Sequence, residues 1–311
     1  MLCGWAGIGN VGLVAVSTLR RLVQAEEFAE IEPYGYFEPS KVIVRYGLIE
    51  DMRFPTTKFY CRGIGGEGQN VAAGAAQEEK QKAGLSPSSS AGRDLVLLVG
   101  EQQPADERKA YDMASTVVDM AQSLGCRRIY TSAASVTMIH HTVKPRVWAV
   151  PNTPELIPEV RRYGNTVLMS EVGSTNGEGV ISGLNGVLLG VARNRGIQAV
   201  CLMGEVPYYL QGAPWPYPRA SISVLEVLGR ILRLSLDLSE LHAMAAKVEV
   251  NIEQILDALS TAEELPEQVR MEMERLRHGK HPDLGPITEQ EKREILEHID
   301  ELFKDETGDE S

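Results

Sequence analysis

Three patterns in this 311-residue chain carry residue types that could do chemistry. Gly7-Ile8-Gly9-Asn10-Val11-Gly12 has the glycine spacing with which a strand-to-helix turn offers backbone N–H groups to a pyrophosphate. Gly100-Glu101 and Gly204-Glu205 each place a carboxylate just past an apolar run, and two carboxylates facing one cleft can divide acid and base roles. Gly173 to Gly179, then Gly183-Leu184-Asn185-Gly186, form a glycine-rich loop running into a helix whose first N–H groups would attract an anion.

Each pattern also has a reading without chemistry. A dinucleotide site wants an acidic residue about 20 positions on, at the end of a second apolar strand. Here Glu30 and Glu32 stand beside Pro33-Tyr34-Gly35 instead, so the glycines read more readily as a tight turn than as a nucleotide site. Strand-end glutamates also act as caps or ion-pair partners, and no nucleophile or metal ligand accompanies Glu101 and Glu205. The second glycine loop lacks the Lys-Ser/Thr of a phosphate-binding P-loop, and Gly186 would allow close helix packing. His140 and His141 are adjacent, so on an extended backbone their rings point opposite ways and cannot share an ion; no metal and no cofactor is expected. Tyr208, Tyr209, Trp215 and Tyr217 lie in a proline-rich stretch and are candidate interface anchors, or else a lid on the chain's own core.

The elements that would position these residues read as α/β. A short strand over 1–6 leads through the first glycine turn to an apolar-periodic helix ending near Leu22. Lys41 to Glu50 and Thr57 to Arg62 read as an antiparallel pair. Residues 63–92 have linker composition and are expected to be a flexible insert. Strand, helix, strand follow at Leu95–Val99, 106–124 and Arg128–Tyr130, and the same grammar returns with a helix over 184–194, a strand over 199–203 and a helix over 219–232. Uninterrupted apolar strands between helices imply a mostly parallel sheet covered on both faces, in a domain spanning 1–236.

Residues 237–262 predict an amphipathic helix, whose stripe of Leu241, Met244, Ala245, Val248, Ile252, Ile255, Leu256 and Leu259 needs a partner surface. Beyond it lies an acidic appendage, 263–311, with a short helix expected over 288–303. The formal charge of -12 is concentrated here: residues 251–311 hold 7 Lys and Arg against 18 Asp and Glu. Neither part offers the basic surface that nucleic acid requires. The four cysteines, at 3, 61, 126 and 201, have no framework spacing and read as reduced thiols. With no apolar run long enough for a membrane span and no basic leader, a cytoplasmic location is expected.

Taken in order, Gly4 to Gly12, Gly100-Glu-Gln-Gln-Pro104, His141-Thr-Val-Lys-Pro-Arg-Val147, Gly183-Leu-Asn-Gly186 and Gly204-Glu-Val-Pro207 resemble the proteasome assembly chaperone 2 family, including members labelled ATP-grasp-like. The resemblance covers about residues 1–260 apart from the insert. It implies a three-layer α/β fold similar to nucleoside phosphorylases, homo-oligomeric assembly, and a chaperone role with proteasome-type subunits as partners. It brings no catalytic set, so Glu101, Asn185 and Glu205 are carried over only as motif positions. Some archaeal relatives dock through a C-terminal hydrophobic-tyrosine-any tail, whereas this sequence ends Gly308-Asp309-Glu310-Ser311.

Overall fold

A computed structural model describes residues 1–64, 70–71, 93–171 and 179–261. In chain order the elements are β1 (Leu2–Trp5), α1 (Val11–Leu22), β2 (Glu26–Glu30), β3 (Lys41–Arg45), β4 (Leu48–Arg53), β5 (Thr57–Ile64), β6 (Asn70–Val71), β7 (Arg93–Gly100) and α2 (Glu107–Ser123). There follow β8 (Arg128–Thr137), β9 (Val147–Pro151), α3 (Ile157–Val160), β10 (Thr166–Leu168), α4 (Gly183–Asn194), β11 (Gln198–Pro207), α5 (Pro218–Leu232), β12 (Ser235–Leu236) and α6 (Ser239–Thr261).

Eight strands form one sheet in the order β10-β9-β11-β8-β1-β7-β5-β2. Its centre, β11-β8-β1-β7, is parallel, as expected for strands buried on both faces, while β9, β5 and β2 pair antiparallel with their inner neighbours. Alternation along the strands sends Leu2, Leu97, Tyr130 and Leu202 to a core beneath α1, α5 and α6. Cys3, Trp5, Leu98, Cys201 and Met203 go to a second core beneath α2 and α4. The protein is thus a three-layer α/β structure.

Helix positions follow the apolar periodicity closely, and local chemistry fixes their starts. The Asp106 carboxylate accepts from the N–H of Lys109 to cap α2, and Pro218 opens α5 where its missing N–H costs nothing. The apolar stripe of the last helix is covered from within the chain except at Met244, which is 43% exposed, and at Leu259, which lies outside the described side chains. Leu241, Ala245, Val248, Ile252 and Leu256 are buried in the core that α5 also lines.

The expected pairing of 41–50 with 57–62 is incorrect. Tyr46 and Gly47 both adopt left-handed backbone angles, the geometry of a two-residue hairpin turn, so β3 folds back on β4 in a separate two-stranded sheet. β5 instead enters the main sheet between β7 and β2. Within 63–92, Gly63 and Ile64 prolong β5 and Asn70–Val71 pair with β12; the remainder lies outside the described residues. So do the acidic stretch 263–311, its expected helix over 288–303, and residues 172–178 of the second glycine loop.

Candidate functional site

The turns carrying the recurring motifs meet at one pole of the sheet, the carboxyl ends of the parallel strands, where open α/β sheets place their ligands. β1 delivers Gly7 to Gly12, β7 delivers Glu101, β11 delivers Glu205, and α4, running back along the sheet, starts there with Gly183 to Gly186.

Gln103 ties two of these turns together. Its side-chain amide donates to the carbonyl of Ala6 at 2.8 Å, and its Oε1 accepts from the N–H of Leu184 at 2.8 Å. Gly183 holds φ +72° there, and a Cβ on it would stand 2.6 Å from Gln103 Oε1. Gly186 is needed for a different contact, because a Cβ would lie 2.0 Å from the carbonyl oxygen of Ile181. Asn185 is buried in the same first helical turn, and its Oδ1 has no hydrogen-bond partner among the described residues.

The first glycine turn is closed by the protein itself. Asn10 adopts left-handed angles, its N–H donates to the carbonyl of Gly7 at 2.8 Å, and its Oδ1 accepts from the Gly7 N–H at 3.4 Å. The N–H of Tyr217 donates to the carbonyl of Gly9 at 2.8 Å, and a Cβ on Gly9 would come within 3.0 Å of Tyr217 Cβ. Gly12 lets α1 lie flush on the sheet, since its Cβ would stand 2.0 Å from the carbonyl oxygen of Ser132. These contacts account for the glycine spacing by turn and packing geometry.

Glu101 and Glu205 leave the same pole but do not face each other. Two strands, β8 and β1, separate β11 from β7, about 14 Å at the usual interstrand spacing. Glu101 is exposed and accepts from the N–H of Thr56 at 2.9 Å. Glu205 is 0% exposed and its carboxylate accepts from the Arg146 N–H at 2.8 Å, from Arg146 Nη2 at 3.0 Å and from Trp148 Nε1 at 3.0 Å. The reading of the two as an acid–base pair is overturned by that separation.

The aromatic stretch 208–217 is folded inward. Tyr208 and Tyr217 are buried, and Tyr209 and Trp215 are partly so. The Tyr209 hydroxyl sits 2.8 Å from both the N–H and Nδ1 of His141, while Tyr217 and Arg219 donate to the His141 carbonyl at 3.4 and 2.6 Å. Burial raises the pKa of both tyrosines and, with His140 and Arg219 nearby, lowers that of His141 to about 4. The two histidine rings do not diverge as expected: their centroids are 4.2 Å apart, because residues 138–142 leave the strand and turn. A cleft of about 310 Å³ opens nearby between α5, α6 and Lys144-Pro145, and its charges are already matched by Lys144–Glu226 and Arg219–Glu249 pairs.

What the protein does leave exposed is the β3–β4 hairpin, which no sequence pattern singled out. Register places Val42 opposite Met52 and Val44 opposite Ile49, so all four side chains share one face, each between 49% and 75% exposed. Gln103, Arg146 and Trp148 were equally unmarked; of these, Gln103 and Arg146 fall within the motifs that carried the resemblance.

Together these elements define a three-layer α/β protein with a large, mostly parallel central sheet. The chain belongs to the PAC2 family, whose model matches residues 1–256. It is 26% identical over 253 residues, 81% of each chain, to the uncharacterised protein MJ1210 of Methanocaldococcus jannaschii. Among solved structures it is similar to PbaB of Pyrococcus furiosus, described as an archaeal proteasome activator, with 24% identity, a TM-score of 0.62, and coverage of 82% of this chain and 91% of that one. It is also similar to a proteasome-assembly chaperone homologue of Mycobacterium tuberculosis, with 20% identity, a TM-score of 0.59, and coverage of 87% and 100%. Among the described residues no helix is long and apolar enough to cross a membrane.

Proposed function

We propose that this PAC2 protein is a non-catalytic assembly factor of the cytoplasm that holds proteasome-type subunits by transiently covering an apolar surface on them. One observation carries the reading: the open apolar face of Val42, Val44, Ile49 and Met52 on a hairpin that stands apart from the main sheet. Soluble proteins seldom leave such a contiguous face to water unless a partner uses it. Its base is fixed, since Phe37 is buried and the hydroxyls of Tyr36 and Thr116 bond at 2.9 Å, so the arm is presented rather than trailing. Family membership, and relatives described as a proteasome activator and an assembly-chaperone homologue, support the choice of client.

The test is co-elution of the full chain with purified proteasome subunits, repeated with the double variant Ile49→Asp, Met52→Asp. Both residues are solvent-facing, so the variant should keep the wild-type circular dichroism spectrum and lose the complex. Failure of the wild-type chain to retain any proteasome subunit, or retention unchanged in the variant, would remove this reading.

A further inference from the structure

We propose that strand β3 of one copy adds to the outer edge of strand β2 in a second copy, extending the eight-stranded sheet across the interface. The main sheet ends at β2, whose outer edge is paired by nothing among the described residues, so its row of N–H and C=O groups is a template for another strand. The hairpin likewise leaves the outer edge of β3 unpaired among the described residues. A two-stranded hairpin alone in water is marginally stable, and a third strand on its edge is what it lacks.

The two edges match in length, charge and centre. Each strand has five residues, Lys41-Val-Ile-Val-Arg45 and Glu26-Glu-Phe-Ala-Glu30. In either direction of pairing a cation of β3 meets a glutamate of β2 at both ends, and Ile43 stands opposite Phe28, which is 42% exposed. Lys58 of β5 serves both Glu27 and Glu30, at 3.0 and 3.7 Å, so β2 keeps an excess of negative charge. The Arg45–Glu50 pair at 2.9 Å lies in solvent and is weak enough to be exchanged.

The charges also select the occupant. β2 against β2 would set glutamates against glutamates, and β3 against β3 would set cations against cations; only the mixed pairing is attractive. Every copy carries one edge of each kind, so the contacts close into a two-fold pair or a ring. Within one copy the two edges lie in separate sheets among the described residues, the hairpin base being held against α2 by Tyr36 and Phe37.

The surface is distinct from the apolar face assigned to the client, and the experiment separates them. Sedimentation of the full chain alone should show self-association that weakens as salt rises from about 50 to about 500 mM. The double variant Lys41→Glu, Arg45→Glu and the double variant Glu26→Lys, Glu30→Lys should each raise the self-dissociation constant about tenfold or more. Mixing the two, or placing all four changes in one chain, should restore it, a result that damaged folding could not give. A monomeric wild-type chain, an assembly indifferent to both reversals, or reversals that do not compensate would overturn the proposal, whatever the outcome with proteasome subunits.

Discussion

Glu205 and Arg146 form an ion pair of unequal depth: the carboxylate is wholly enclosed, while the guanidinium side chain is 35% exposed. Removing the cation strands a buried anion, whereas removing the anion leaves a cation that can turn to water. Arg146→Met should therefore cost about 3–5 kcal/mol. Glu205→Gln, which keeps the shape and the indole contact of Trp148, should cost less, about 1–3 kcal/mol. Urea denaturation midpoints read both values, and the reverse order would refute the buried-anion account.

Gly12 and Gly7 stand five positions apart in one turn but answer to different constraints. A Cβ at Gly12 would meet backbone at 2.0 Å, and at Gly7 only the flexible Gln103 amide at 3.5 Å. Gly12→Ala should lower stability by more than about 3 kcal/mol, and Gly7→Ala by under about 1 kcal/mol. Thermal melts of the two variants decide it; equal losses would show that the helix–sheet approach is not what fixes Gly12.

Gln103→Ala should unfasten both turns at once, at a cost of about 1–3 kcal/mol for two side-chain hydrogen bonds with buried partners. The local signature is faster amide exchange at Leu184, whose N–H loses its acceptor. Unchanged exchange at that amide would mean that α4 starts correctly without the tie.

His141 makes stability depend on pH. Its folded pKa of about 4 lies below the ordinary value of 6.5, so the unfolded chain binds the proton first as the solution is acidified. The contribution of the neutral ring is complete above about pH 6.5 and is lost as pH falls toward 4. Melting temperatures between about pH 7 and about pH 5 should fall more for the natural chain than for His141→Gln. Parallel slopes would show that the ring does not titrate in this window.

The layered fold could be read from the sequence because apolar residues at helical spacing and unbroken apolar strands both record burial, and burial was what built α1, α2, α4, α5 and α6. Of the strands that escaped notice, β2 and β12 are only partly buried, whereas β9 is buried but short. β2 reads Glu-Glu-Phe-Ala-Glu because it is an edge, and its pattern mimics a loop. The hairpin was misjoined because Tyr46-Gly47 does not advertise a turn as loudly as Pro55 does. At the pole, Glu205 was legible as a carboxylate after a strand. Its partners Arg146 and Trp148 lie 59 and 57 residues away, and β9, which carries Trp148, was not foreseen. The inward fold of Tyr217 onto Gly9 joins positions more than 200 residues apart, a distance over which single-sequence patterns say nothing.

The place of β1 has a consequence for how the chain is made. Four residues long, it lies between β7 and β8, so both of its neighbours are synthesised some 90 or more residues after it. Contacts this distant in sequence form slowly, and during translation the strand must wait as an uncovered apolar segment until the segment through Thr137 has emerged. By its own topology the chain is exposed to sticking before it is finished.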